Sequence, residues 1–243
     1  MVKKDRPKSD KLGPCLNARI LARTEWEALT PDDIDLFNRK VVCRTYEAGS
    51  VVFGQGDQCR GLYLVERGLV AVRKVDGQGQ SAIVRLAPQG HSLGYRPLLA
   101  KEDHRATAEV INDSRICFVD AATMHCLLLN NPNLGMRFLE LTAQTLGGAE
   151  ARLFQVAALS VRTRIVHILI LLRDHYGKLA EDGALLLDLP MSRRDLADMI
   201  GARSESVSRN MRDLMNDGLI SLSGRTVRID RPDRLVEELH RNP

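Results

Sequence analysis

One stretch restricts the fold more than any other: Met191–Ile220, MSRRDLADMIGARSESVSRNMRDLMNDGLI. Ser192 is a candidate N-cap, and Asp195 three residues later has the spacing of a capping box. Leu196, Met199 and Ile200 recur at helical spacing and form one apolar face. Gly201 ends the helix, where the backbone must be free to take positive φ. A second helix is expected from about Ser204 to Asn216, with Val207, Met211, Leu214 and Met215 on its buried face. Glu205, Ser208, Arg209 and Arg212 fall on the opposite, solvent side. Helix, short Gly-containing turn and helix make the helix-turn-helix pattern, whose second helix enters the major groove of DNA.

The exposed residue types suit base reading. Arg donates two parallel hydrogen bonds to O6 and N7 of guanine, Glu accepts from the amino group of cytosine, and Ser approaches several base edges. Glu205, Ser208 and Arg209 are therefore the candidate base contacts, and Arg193, Arg194, Arg203, Ser206 and Arg212 the candidate phosphate contacts. An amphipathic helix pair with a solvated charged face would leave the same pattern. The flanking residues favour DNA. Gly218-Leu219-Ile220 leads into a strand, Ser223-Gly224 is a hairpin turn, and Thr226–Ile229 is a second strand. Together they read as the β-wing of a winged helix.

A chain of 243 residues holds one large or two ordinary domains, and 44% hydrophobic content supports a normal core. The densest apolar run, Val166–Leu172, is too short to span a membrane. The first residues, MVKKDRPKSDKLGP, lack the apolar core of a signal peptide, so a cytoplasmic protein with no membrane partner is expected. Net charge is only +4, so bulk charge does not announce a nucleic-acid binder; the placement of the Arg residues does. Five cysteines, Cys15, Cys43, Cys59, Cys117 and Cys126, are widely spaced. Their odd number argues against a disulfide framework, and none forms a CxxC pair.

Upstream, residues 1–14 read as a basic arm and Asn17–Leu29 as helical. Thr30-Pro31-Asp32-Asp33 is a helix start, with Thr30 as cap and Pro31 in the first turn. From Val41 to Asp120 short apolar runs alternate with Gly: Val41–Tyr46, Ser50–Phe53, Gly61–Val65, Leu69–Val75, Ala82–Leu86, Ala106–Ile111 and Ile116–Val119. Turn signals such as Glu66-Arg67-Gly68 separate them, as in an antiparallel sandwich or barrel. No proline occurs between Pro132 and Pro190, which permits a long helix. Leu139, Leu146, Ala149, Leu153 and Val156 include three- and four-residue steps, the seam of a coiled coil or a face packed on the protein's own roll. Gly147-Gly148 costs about 1 kcal/mol per Gly against Ala but allows close approach of a partner helix. Ser160–Tyr176 is a second apolar helix, Gly177–Gly183 a loop, Leu185–Leu189 a strand, and residues 230–243 a charged tail with a helical turn or two.

A Gly-punctuated β-roll, a long helix and a C-terminal winged helix, in that order, resemble the CRP/FNR family of bacterial transcription regulators. The resemblance runs from about residue 30 onward and is carried by VVFGQGDQCRGLYLVERGLVAV and DLADMIGARSESVSRNMRDLMNDGLI. It implies an α+β fold: an N-terminal antiparallel β-roll like that of cyclic-nucleotide-binding domains, a long dimerisation helix and a winged helix-turn-helix. The corresponding division is an arm over 1–29, a roll over 30–133, a helix over 134–159 and a DNA-binding domain over 160–243. The resemblance also implies a homodimer through Leu146, Ala149, Leu153 and Val156, a palindromic double-stranded DNA site, and RNA polymerase as partner. Glu205, Ser208 and Arg209 match the family's base-contacting Glu-x-x-Ser-Arg. That spelling resembles the FNR-type subgroup, which prefers TTGAT-like half-sites. The cyclic-AMP receptor type has Arg where this chain has Ser204.

The resemblance leaves the signal open among oxygen, redox, nitric oxide and a small molecule, and no cofactor is identified. Arg105-Ala106-Thr107 matches the family's phosphate-binding position, but Gly90–Gly94 lacks the Glu of cyclic-nucleotide binders, and the expected Thr/Ser pair aligns with Ala149-Glu150. Cys117 aligns with the distant ligand of the FNR iron–sulfur cluster and Cys15 falls among its N-terminal ligands. Position 18 is Ala and position 27 is Glu, so the set of four thiolates is incomplete. Cys15, Cys117 and Arg105 are thus the candidate effector residues. Haem stays open, with His91, His104, His125 and His167 as candidate ligands, though no pair has ligand spacing. A cyclic-nucleotide-binding module acting on an enzyme or channel is the alternative; the winged helix argues against it. No Walker-type loop, Gly-x-Ser-x-Gly elbow or His-Glu-x-x-His occurs, so no enzyme activity is expected.

Overall fold

A computed structural model of the chain describes residues 16, 18–21, 24–79 and 81–241, in two compact units, Met1–Gly147 and Gly148–Pro243. Cys15 and the whole basic arm, residues 1–14, lie outside the described residues.

In the first unit, α1 (Ala18–Leu21) and a 3₁₀ turn (Glu25–Ala28) stand where one helical stretch is expected. Helix α2 (Pro31–Lys40) starts on the predicted signal. The Asp33 amide donates to Thr30 Oγ1 at 3.3 Å, and the Thr30 amide donates to Asp33 Oδ2 at 3.0 Å. Then follow β1 (Val42–Tyr46), β2 (Val51–Phe53), β3 (Gly61–Val75), β4 (Ser81–Pro88), β5 (Ser92–Leu93), α3 (Tyr95–Ala100), β6 (Thr107–Asp120), α4 (Ala121–Asn130) and α5 (Pro132–Ala158). The sheet runs β1-β6-β3-β4, with β2 on β6 and β5 on β3, and every pairing is antiparallel.

Two expected turns are not turns. Glu66-Arg67-Gly68 lies inside one continuous β3, where the register against β6 shifts. Such a shift is a β-bulge, and Gly68 takes φ +106 there. A Cβ on Gly68 would fall 2.0 Å from Ser114 Oγ, so the position excludes a side chain. Likewise the runs Ala106–Ile111 and Ile116–Val119 belong to the single strand β6.

Two apolar clusters fill this unit. Phe53, Val65, Val70, Leu93, Val110 and Ile116 fill one. In the other, Trp26 meets Phe37 and Phe138 edge-on, with ring centroids 5.0 and 5.7 Å apart. Asn131 ties the elements around it together. Its Nδ2 donates to Ala28 O and Asp33 Oδ2, both at 2.7 Å, and its Oδ1 accepts from the Leu134 amide at 3.1 Å. Burial pushes the Asp33 carboxyl up, but the hydrogen bonds from Thr30 and Asn131 prevail and hold it below the usual range.

The second unit carries the C-terminal end of α5, then α6 (Val161–Tyr176), β7 (Gly177–Leu179), β8 (Leu185–Asp188), α7 (Arg193–Ile200), α8 (Ser204–Asn216), β9 (Ser221–Ser223), β10 (Thr226–Ile229) and α9 (Pro232–Arg241). Its sheet runs β7-β8-β10-β9, again antiparallel. The expected loop after α6 thus begins as a strand, because Gly177–Leu179 pairs with β8. The expected charged tail is the helix α9, docked by buried Leu235 and by Glu238, which accepts from Arg162 Nε at 2.7 Å. The same Arg162 pairs with Asp217 at 2.7 Å.

Candidate nucleic-acid interface

Helix α7 opens on a complete capping box. The Asp195 amide donates to Ser192 Oγ and the Ser192 amide donates to Asp195 Oδ2, both at 3.1 Å. Its buried face is Leu196, Ala197, Met199 and Ile200. Gly201 closes it in the left-handed conformation, φ +63. Helix α8 buries Val207, Met211 and Leu214 and turns Glu205, Arg209 and Arg212 outward, with Ser208 half-buried between them. Met215, expected on the buried face, is 37% exposed instead, while its neighbour Leu214 takes the fully buried position in the same turn. Ser204, Glu205, Ser208, Arg209 and Arg212 line one open depression of about 540 Å³. None of Glu205, Arg209 and Arg212 forms an ion pair with any described residue.

The candidate phosphate contacts Arg193, Arg194 and Arg203 are exposed, around the start of α7 and the cap of α8. Ser206 is half-buried, and its carbonyl accepts from Asn210 Nδ2 at 2.9 Å. The wing forms as expected: β9 and β10 pair with Ser221 opposite Arg228 and Ser223 opposite Thr226.

Along α5 the predicted seam residues are bare. Leu146, Leu153 and Val156 are 60%, 72% and 44% exposed, and Ala149 is exposed too. Phe154 and Met136, which the heptad reading passed over, are similarly exposed.

Of the three candidate effector residues, Cys15 lies outside the described residues, and Cys117 and Arg105 are not brought together. Cys117 lies fully buried opposite Cys43 in the β1–β6 register and is bonded to it. The count argues against a disulfide framework, yet this one bond forms: spacing along the chain says nothing about two cysteines 74 residues apart that strand register sets side by side. A sulfur held in a disulfide has no thiolate to give a cluster, so the described cysteines do not fit one through Cys117. Arg105 is exposed and held by Glu102 at 2.8 Å. His104 is buried and stacked on Phe53 with ring centroids 3.7 Å apart; burial pushes its imidazole pKa down. Among the described residues no group of three or more His, Cys, Asp or Glu could hold a metal ion.

The sequence reading passed over one polar group in the roll. Arg85 Nη2 donates to the Ser92 carbonyl at 3.1 Å, and its guanidinium lies 5.5 Å over the Tyr95 ring. The Tyr95 hydroxyl is 2.8 Å from Thr145 Oγ1 on α5. Glu25 and Trp26 cover the same Ser92: Trp26 Nε1 donates to its Oγ at 3.0 Å.

Residues 43–131 match the family model of the cyclic nucleotide-binding domain, and residues 163–238 match that of the Crp-like helix-turn-helix domain. Over 230 residues the chain is 30% identical to the transcriptional activator protein FnrL of Cereibacter sphaeroides, covering 93% of this chain and 89% of that protein. The chain belongs to the CRP/FNR family of transcription regulators. A second relative of this CRP/FNR regulator is the cyclic AMP receptor protein of Thermus thermophilus, 27% identical over 88% of this chain and 95% of that protein. The structure of FixK2 from Bradyrhizobium japonicum superposes with a TM-score of 0.73 at 23% identity, covering 81% of this chain and 96% of that one, and so shares the fold. CRP/FNR regulators are not enzymes, and this one carries the family's DNA-binding domain. Among its described residues no helix is long and apolar enough to cross a membrane.

Proposed function

We propose that this CRP/FNR regulator binds a palindromic, TTGAT-type site as a cytoplasmic homodimer and activates transcription with RNA polymerase as partner. One observation carries the reading. Helix α8 buries Val207, Met211 and Leu214 and presents Glu205, Ser208 and Arg209, the base-reading triplet, on its outer face. The bare stripe Leu146, Leu153 and Val156 on α5 supports a dimer, which would pair two copies of α8 with two half-sites one helical turn apart.

The signal is an oxygen, redox, nitric oxide or small-molecule cue. Arg105 is engaged by Glu102, and the cyclic-nucleotide carboxylate is absent from Gly90–Gly94, which weighs against cyclic AMP. The Cys43–Cys117 bond weighs against a four-thiolate cluster. No cofactor is assigned.

Binding-site selection on the full-length protein tests the reading. Recovery of paired TTGAT-type half-sites is expected, with affinity falling steeply as salt rises, since each phosphate contact releases counterions. Recovery of TGTGA-type half-sites would overturn the assignment of the triplet. Enrichment of unpaired half-sites would overturn the dimer.

A further inference from the structure

Behind the helix-turn-helix, a cleft of about 400 Å³ opens between α5, α6 and α7. Its basic groups are Arg152 on α5 and Arg164 and His167 on α6. Its apolar walls include Val156, Met199, Ile200 and the 55%-exposed Leu171. No carboxylate is among the described residues that line it. Burial pushes all three basic groups below their ordinary pKa values, so an anion placed among them would relieve a desolvation cost.

Arg164 has a second duty. Its Nη1 donates to the carbonyls of Ile200 at 2.5 Å and Gly201 at 3.3 Å, the end of α7 and the turn into α8. The same guanidinium keeps a buried Nε with no hydrogen-bond partner among the described residues. The turn also packs closely on this wall: a Cβ on Gly201 would lie 3.5 Å from Val156 Cγ2 and 3.7 Å from Arg164 Nη1. A buried unsatisfied donor beside an open cleft is costly, and a ligand that accepts from it would recover that cost.

We infer that this cleft is a binding site for a small carboxylate with an apolar body, its carboxylate on Arg164 and His167 and its body against Ile168, Leu171 and Met199. The cleft is lined wholly by residues of the second unit, and one of its walls is the guanidinium that clamps the helix-turn-helix turn. A carboxylate drawn to the unpartnered Nε pulls on the same rigid guanidinium whose Nη1 holds the two carbonyls, so occupancy changes how firmly the turn before α8 is held.

The test is a calorimetric titration of the full-length protein with octanoate, below its micelle-forming concentration, beside acetate and 1-octanol. Octanoate is expected to bind about tenfold or more tightly than either, because acetate lacks the apolar body and the alcohol lacks the charge. Arg164→Gln should weaken octanoate by about tenfold or more. Since that change also breaks the turn clamp, Leu171→Asp is the companion variant: the side chain is exposed, and its new charge should repel octanoate to a similar degree while far-UV circular dichroism stays that of the wild type. No heat with octanoate, equal affinity for octanoate and 1-octanol, or undiminished binding to Leu171→Asp would overturn the site. Inorganic phosphate binding as tightly as octanoate would overturn the need for an apolar body. The titration contains no DNA, so it stands or falls independently of the proposed DNA site. A separate anisotropy measurement with saturating octanoate should show a shifted DNA affinity; an unchanged one would overturn the coupling through Arg164.

Discussion

In the roll, Arg73 is held by Glu109 at 3.0 Å and Arg115 by Glu66 at 3.4 Å, and all four side chains are at least half-buried. On α8, Glu205, Arg209 and Arg212 meet no ionic partner among the described residues. The difference follows from where each surface finds its counter-charge. A charge withdrawn from water must be compensated within the fold or it destabilises it. A charge kept in water can wait for an external partner. Charges gathered on one side of a helix whose other side is firmly packed describe a surface made to meet something, whereas the roll's charges describe a surface made to fold. Substitutions in the two regions should therefore separate stability from binding.

The largest stability effect is expected at Trp26. It is fully buried against Phe37 and Phe138, and its indole N–H is satisfied by Ser92. Trp26→Ala should cost about 3–5 kcal/mol, read by urea denaturation followed by far-UV circular dichroism. The chain has only 1 Trp, so fluorescence would be blind to the variant. A loss below about 1 kcal/mol would mean the Trp26 cluster is loosely packed.

On the other side of the comparison, Arg209→Ala should leave the urea midpoint unchanged and weaken specific DNA binding by about 1–3 kcal/mol, with specificity relaxed at one guanine. Fluorescence anisotropy on matched and mismatched sites reads both. A uniform loss across all sequences would reassign Arg209 from base to phosphate.

Ser192→Ala lies between the two regions' behaviours. It removes one half of the α7 capping box and should cost about 1 kcal/mol of stability, read by the same denaturation. The proposed base contacts on α8 are untouched, so any DNA effect should follow stability alone. At Arg105 the pair with Glu102 is exposed, and Arg105→Ala should shift stability by less than about 1 kcal/mol.

How much of this was legible depended on how local each signal is. The helix-turn-helix could be read because Ser192, Asp195, Gly201 and the apolar positions between them act within a few residues of one another. The α2 start at Thr30 was legible for the same reason. The bulge at Gly68 was not: a Gly ending an apolar run writes the same letters whether the chain reverses or continues, and only pairing with β6 decides. The Cys43–Cys117 pair and the Arg162–Glu238 anchor of α9 were equally hidden, because each joins residues more than 70 positions apart. Of the candidate site, the α8 face was visible in the sequence. The Arg164 clamp behind it was not, since its acceptors are backbone carbonyls that any sequence would supply.

The smallest predicted effect sharpens the comparison from beside the roll, at a charge the fold buries without an ion pair. Glu25 opens the 3₁₀ turn with its side chain buried and Oε1 unpartnered, and burial raises its carboxyl pKa despite a hydrogen bond from Ser92 and the field of Arg85. Between its ordinary value and the raised one, the folded state holds a proton that the unfolded chain has released. Stability supplied by the neutral acid is therefore fully present below the ordinary carboxylate range and is lost as pH rises through the folded pKa. Glu25→Gln keeps the shape, removes the titration and should flatten this part of the pH profile in urea midpoints. If the wild-type profile rises with pH across that window and the variant's does not, Arg85 compensates Glu25 more fully than burial penalises it, and the buried carboxylate behaves like the paired charges of the roll.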